Sequence, residues 1–222
     1  MYMYGVRSSE YGVEPTPSRV PRTPYPVHRT AFSLIEMLIV MVIMILMYVM
    51  LYGPATKYYH AEKKAECVRN LGQIYIALKI YASDNGGKYP SVEGAATSEA
   101  PLSLLVPKYT TVTQSFICPG SGDNSLPDAE PFDGRTISYG YYMGLGDSAP
   151  GDQPLLSDRQ VDGRAKKKGQ EVFSASGRKP GTNHRKYGGI VLFGDGRVVE
   201  LEPLADRDLP CPETVKLLSP KD

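Results

Sequence analysis

Residues 32–52 read FSLIEMLIVMVIMILMYVMLY, and Glu36 is the only charged side chain among them. Coiled as a helix at about 1.5 Å per residue, the run rises roughly 31 Å, the thickness of a bilayer's hydrocarbon core. The apolar core of a cleaved secretory signal is shorter, about 7–15 residues, and ends on small residues. Here the far end is Tyr48, Tyr52, Gly53 and Pro54, and tyrosine suits a membrane interface. The run therefore reads as a transmembrane helix. A carboxylate near the start of such a helix is costly in hydrocarbon, so Glu36 reads as a functional group. Orientation is close to a tie, with Arg22 and Arg29 before the run and Lys57, Lys63 and Lys64 after it.

Working outward, residues 1–31 carry five prolines, no hydrophobic periodicity, and four arginines against two glutamates. A basic, proline-rich segment ahead of an apolar run reads as a leader. Beyond Pro54 a helical pattern resumes. Ala61, Ala65, Val68, Leu71, Tyr75, Leu78 and Ala82 recur at three- and four-residue steps, with Ile76 and Ile80 on a second face. Asn85-Gly86-Gly87 supplies the stop, because Asn and Gly tolerate a left-handed cap. The two halves read as one long helix over 32–84, and Pro54 marks a helix kink because it removes a backbone hydrogen bond.

Residues 85–222 read as a globular α+β domain in which a helix packs on a small antiparallel sheet. Strand signals are short: SFIC at 115–118, TISYGYYM at 136–143, GIVLF at 189–193 and RVVEL at 197–201. Gly194-Asp195-Gly196 between the last two is a strong hairpin signal. Loops rich in Gly, Pro, Asp and Ser fill the stretch from Pro119 to about Gly169. The organisation is thus a leader (1–31), a transmembrane helix half (32–53), an amphipathic helix half (54–84) and the globular domain (85–222).

Composition narrows the function. A formal net charge of +1 over 222 residues gives no electrostatic case for a nucleic-acid partner. The three cysteines, Cys67, Cys118 and Cys211, form no CxxC pair and have no zinc-type spacing with histidine, so no metal site is expected. Cys118 and Cys211 both fall in the globular region and could pair as a disulfide if that region is exported, or stay as buried thiols. His184 and Asp195 read better as a basic-loop residue and a turn residue than as an acid–base pair. No histidine-based triad and no phosphate-binding loop is evident, so no catalytic residue is assigned. Lys166-Lys167-Lys168 reads as a solvated loop. The Asp- and Gly-rich loops PGSGDNSLPD, Asp133-Gly134 and GLGDSAPGD raise calcium as an option without an EF-hand pattern; otherwise no cofactor is expected.

Three stretches together resemble the type IV pilin-like proteins, in particular the major-pseudopilin type of type II secretion systems. AFSLIEMLIVMVIM resembles the prepilin cleavage and N-methylation segment, with Phe32, Leu34, Ile35 and Glu36 at matching positions. ALKIYASDNGGKYP resembles the end of the long pseudopilin helix, through Tyr81, Asp84, Asn85, Gly86, Tyr89 and Pro90, with one extra glycine. ISYGYYMGLGD and HRKYGGIVLFGDGRV resemble a bacterial pilin-like family that carries His, nine residues, then Asp-Gly. Ten residues separate His184 from Asp195 here.

The resemblance implies a pilin-like fold and a filament subunit processed by a prepilin peptidase. The cut falls between Ala31 and Phe32, the new amine of Phe32 is methylated, and Glu36 pairs with such an amine on a neighbouring subunit. The residue before the cut is Ala31, where the family pattern has glycine. Its extra methyl implies slower cleavage, because glycine lets a peptidase approach the backbone most closely. Implied partners are copies of the chain, other pilin-like subunits, the prepilin peptidase and an inner-membrane assembly platform. The implied location is the bacterial inner membrane, single-pass, with the C-terminal domain outside the cytoplasm and in a periplasmic filament after assembly. The competing readings are a single-span anchored ligand-binding domain that does not polymerise, and an exported enzyme on a signal anchor.

Overall fold

The computed structural model describes residues 32–132 and 134–221, with backbone alone at 52–57. The proposed leader and Ala31 lie outside the described residues. The protein is α+β, with an N-terminal apolar helix and a small antiparallel sheet. Helix α1 is a 51-residue element, Leu34–Asp84, and its backbone stays helical through Gly53 and Pro54. The chain divides into two compact units, one ending at Leu46 and one running from Met47.

In the second unit, the C-terminal part of α1 buries one stripe. His60, Lys64, Cys67, Leu71, Ile74, Leu78 and Ala82 are buried at three- and four-residue steps. The expected stripe holds at Leu71, Leu78 and Ala82, but Ile74 is buried where Tyr75 was expected, and Tyr75 is half-buried. At its N-terminal end the buried face is set one residue earlier, since Ala61 and Ala65 are exposed while His60 and Lys64 are covered. Polar side chains occupy the core side there because each has local company. His60 stacks on Tyr187 with ring centroids 4.9 Å apart, and Lys64 Nζ reaches Glu200 Oε2 at 3.6 Å. Ile76 and Ile80 point outward. The helix stops as expected: Gly86 and Gly87 take positive φ, Gly87 N–H bonds the Ala82 carbonyl, and Asn85 Nδ2 bonds the Tyr81 carbonyl.

The sheet has five strands in the order β4-β3-β2-β1-β5, from β1 (Tyr139–Met143), β2 (Pro154–Asp158), β3 (Gly189–Phe193), β4 (Val198–Leu201) and β5 (Lys216–Leu218). Each neighbouring pair is antiparallel. Alternation along β3 shows how the layers are filled. Ile190 and Leu192 join Leu71, Ile74 and Leu78 of α1 in the main core, together with Tyr139, Tyr141 and Leu156. Val191 and Phe193 face the other way, into a second cluster with Val172, Phe173, Leu201 and Leu209. The sheet is therefore covered by α1 on one face and, behind β3 and β4, by Val172, Phe173, Ala205 and Leu209 on the other.

The β3–β4 hairpin forms around Gly194-Asp195-Gly196, with Gly196 at φ +87°. A β-carbon on Gly196 would lie 2.7 Å from the Tyr75 ring, and Tyr75 Oη donates to the Gly194 carbonyl at 3.0 Å. The turn is thus glycine-bound for both backbone and packing reasons. Two strand expectations are corrected. Residues 113–116 form a 3₁₀ turn, not a strand. The backbone around it is satisfied by Asn70 Nδ2 at the Ile117 carbonyl and Ser138 N–H at the Phe116 carbonyl, so no ladder partner is needed. Conversely, β2 arises inside the loop-rich stretch and begins on Pro154, at a strand start beside a register shift, where a missing N–H is tolerated in a central strand.

Leu78→Ala should destabilise the full chain in detergent by about 2–5 kcal/mol, read as a lower urea midpoint, because Leu78 is fully buried between α1 and the sheet. Ile80→Ala, two residues on but half exposed, should shift the midpoint far less.

Candidate functional site

Two features carry residues whose chemistry exceeds what folding requires. The first is the start of α1. Leu34–Leu51 is long and apolar enough to cross a membrane, and none of it is buried. Phe32, Leu34, Ile35 and Met37 around Glu36 are each more than half exposed. The Ser33 carbonyl accepts from the Glu36 and Met37 amides, which closes the first turn. Glu36 is therefore an acidic group in the first turn of α1, within its uncovered apolar span, where the helix dipole favours negative charge.

The second feature was invisible in sequence. Cys67 on α1, Cys118 after the 3₁₀ turn, Asp158 at the end of β2 and His184 in the loop before β3 converge in the core. All four are buried, and their ligand-type atoms lie within 4.8 Å of one another. Cys67 Sγ is 2.7 Å from Cys118 Sγ, Cys118 Sγ is 3.3 Å from His184 Nε2, and His184 Nε2 is 3.5 Å from Asp158 Oδ2. Asp158 is anchored further: Asn183 Nδ2 donates to Oδ1 at 2.8 Å and the Ile190 amide donates to Oδ2 at 2.9 Å. The amide of Gly120 points at Cys118 Sγ from 3.4 Å. Gly120 must be glycine for the histidine to sit here, because a β-carbon would lie 2.6 Å from His184 Nδ1 and 2.5 Å from the Asn183 carbonyl oxygen.

The electrostatics of the cluster follow from burial and proximity. The hydrogen bond with Cys118 brings the Cys67 thiol down to about 7, against the opposing effect of burial. Burial pushes Cys118 up and pushes Asp158 up. For His184, burial acts downward, but the hydrogen bond with Cys67 and the Asp158 carboxylate outweigh it and raise the imidazole. The set thus draws Cys67 towards its thiolate and His184 towards its protonated form, while burial opposes charge on Cys118 and Asp158. Cys67 and His184 are at 0% exposure, so no face is open to a substrate from solvent.

No protein-family model, no curated protein and no solved structure matches the chain. Function is therefore argued from these two features alone.

The residues singled out in sequence fall as follows. Phe32 and Glu36 sit on the uncovered helix start, while Ala31 is outside the described residues. Cys118 and Cys211 do not pair. Both are free thiols; Cys118 faces Cys67, and Cys211 packs with Tyr142, Val215 and Leu217 and bonds the Val215 carbonyl at 3.3 Å. His184 and Asp195 do not meet either: the carboxylate beside His184 is Asp158, and Asp195 caps its own turn through the Arg197 amide. Lys166 is buried against Asp162 at 2.8 Å, whereas Lys167 and Lys168 are exposed. In the loops considered for calcium, Asp123 is held by Arg159 at 3.0 Å and Asp147 by Lys79. Asp158 was missed because nothing in PLLSD distinguishes a buried hub from a loop aspartate.

Asp158→Ala should destabilise the protein by about 3–5 kcal/mol, because it strands the buried Asn183 and Ile190 donors and removes the charge opposite His184. Asp195→Ala, on the exposed turn, should cost about 1 kcal/mol or less in the same denaturation assay.

Proposed function

We propose that this chain is a structural subunit of a type IV pilin-like filament, of the major-pseudopilin type, cut by a prepilin peptidase between Ala31 and Phe32. The observation that carries this reading is Glu36. It is the only charge in residues 32–52, and it sits in the first turn of α1, at the start of the uncovered apolar span Leu34–Leu51. A helix used only as a membrane tether has no need of a carboxylate at that depth. A helix that must stack against copies of itself does, because cleavage creates a positively charged amine at Phe32, one turn away from Glu36.

In a low-dielectric bundle, a carboxylate and an amine from neighbouring subunits satisfy each other, and leaving either one alone costs several kcal/mol. The pair selects one staggered register, while the apolar side chains from Leu34 to Leu51 supply the packing. The part of the second unit beyond the apolar span, with its two-sided core, is the part carried outside the cytoplasm and displayed on the filament. The partners are then further copies of this chain, other pilin-like subunits, the peptidase and an inner-membrane assembly platform.

Removing one member of a buried ion pair costs about 3–5 kcal/mol, so Glu36→Ala subunits expressed with their assembly machinery should all but vanish from the sheared filament fraction. Filament yield equal to wild type would point instead to an anchored, non-polymerising domain. Mass spectrometry of mature protein should find a methylated Phe32 at the N-terminus, and mature material that retains residue 31 would refute the cleavage.

A further inference from the structure

The four-residue cluster in the core is more than a packing solution. Two thiols, an imidazole nitrogen and a carboxylate are the ligand types of a tetrahedral divalent-metal site, and here they come from four separate segments: α1, the turn after residue 116, the end of β2 and the loop before β3. Each is at most 1% exposed. Burying a carboxylate and ionisable thiols together costs free energy unless a cation offsets their charge.

We propose that Cys67, Cys118, His184 and Asp158 bind one structural zinc ion, which ties the C-terminal part of α1 to the sheet.

Three observations support this assignment beyond the convergence itself. First, the Gly120 amide donates to Cys118 Sγ from two residues downstream, in Cys118-Pro119-Gly120. A backbone N–H aimed at sulfur stabilises a thiolate, the form that binds metal. Second, Asp158 has its own supporting shell in Asn183 and the Ile190 amide, which orient the carboxylate and spread its charge as outer partners of metal ligands do. Third, His184 turns Nε2 inward to Cys118 and Asp158, with Gly120 leaving room for the ring on its other side. Two thiolates with nitrogen and oxygen favour zinc over hard cations such as calcium or magnesium, which take oxygen ligands. No coordination position is left for substrate, so the ion is structural. Binding at about 2.3 Å per sulfur draws the two sulfurs, now 2.7 Å apart, out to roughly 3.8 Å, a side-chain adjustment within the cluster.

The test uses the full chain solubilised in detergent and kept reduced. Elemental analysis should find one zinc per chain. Cobalt added to protein stripped by a chelator should give the sulfur-to-metal charge-transfer band and the intense visible bands of a tetrahedral thiolate site. Cys67→Ser and Cys118→Ser should each abolish the band, and Cys211→Ser should leave it unchanged. Asn183→Ala should retain the one-to-one stoichiometry but weaken cobalt binding by about 10–100-fold. The wild-type measurements decide the matter even if a ligand variant fails to fold. Reduced wild-type protein that holds no zinc and gives no cobalt band would overturn the proposal. So would mature protein in which Cys67 and Cys118 are joined quantitatively as a disulfide. Neither result bears on the filament assignment, which rests on Glu36.

Discussion

The globular part of this protein depends on one contact: the stripe of α1 from Cys67 to Ala82 lying on the inner face of the sheet. Leu71, Ile74 and Leu78 are fully buried there against Tyr139, Tyr141, Leu156, Ile190 and Leu192. Each such aliphatic side chain contributes about 1.5–3 kcal/mol on burial. A five-stranded sheet of strands this short has little stability without a helix to cover one face. The same contact sets where everything else can go. It places Cys67 over Cys118, and it brings Tyr75 onto the β3–β4 turn.

The second organising element is polar and lies at one end of the sheet. Asp158 ends β2, pairs in register with Tyr139 of β1, and accepts from the Asn183 side chain in the loop before β3 and from the Ile190 amide of β3 itself. Arg159, the next residue, turns outward to Asp123 and the Ile137 carbonyl, tying the loop after Cys118 to the same strand end. Within this polar element, Asn183 Nδ2 donates both to the Ser138 carbonyl and to Asp158 Oδ1, which joins the entry to β1, the end of β2 and the loop before β3.

The first turns of α1 obey the opposite logic. Their side chains are apolar and uncovered, so the protein's own core offers them nothing. An exposed apolar surface of that extent calls for lipid or for other helices. The proposed filament subunit would use both in turn, with lipid around the helix before assembly and neighbouring helices after it. Glu36 is neutral to the first environment at best and favours the second, which is why one carboxylate weighs so heavily in the functional reading.

Sequence alone determined the features that depend on near neighbours. The apolar run with its single charge, the helix stop at Asn85-Gly86-Gly87 and the Gly194-Asp195-Gly196 hairpin are all written in periodicity or in turn chemistry, which act over a few residues. The stripe of α1 was legible at Leu71, Leu78 and Ala82; it was misplaced by one residue at Cys67 and Ile74, and at His60 and Lys64, whose cover comes from Tyr187 and Glu200. Only the tertiary structure decided that Pro154 opens a central strand, that Cys118 meets Cys67 instead of Cys211, and that His184 faces Asp158 instead of Asp195. Cys67 and Cys118 are 51 residues apart, and Cys118 and His184 are 66 apart. No local pattern records such pairings, because they are set by which faces of α1 and the sheet pack together.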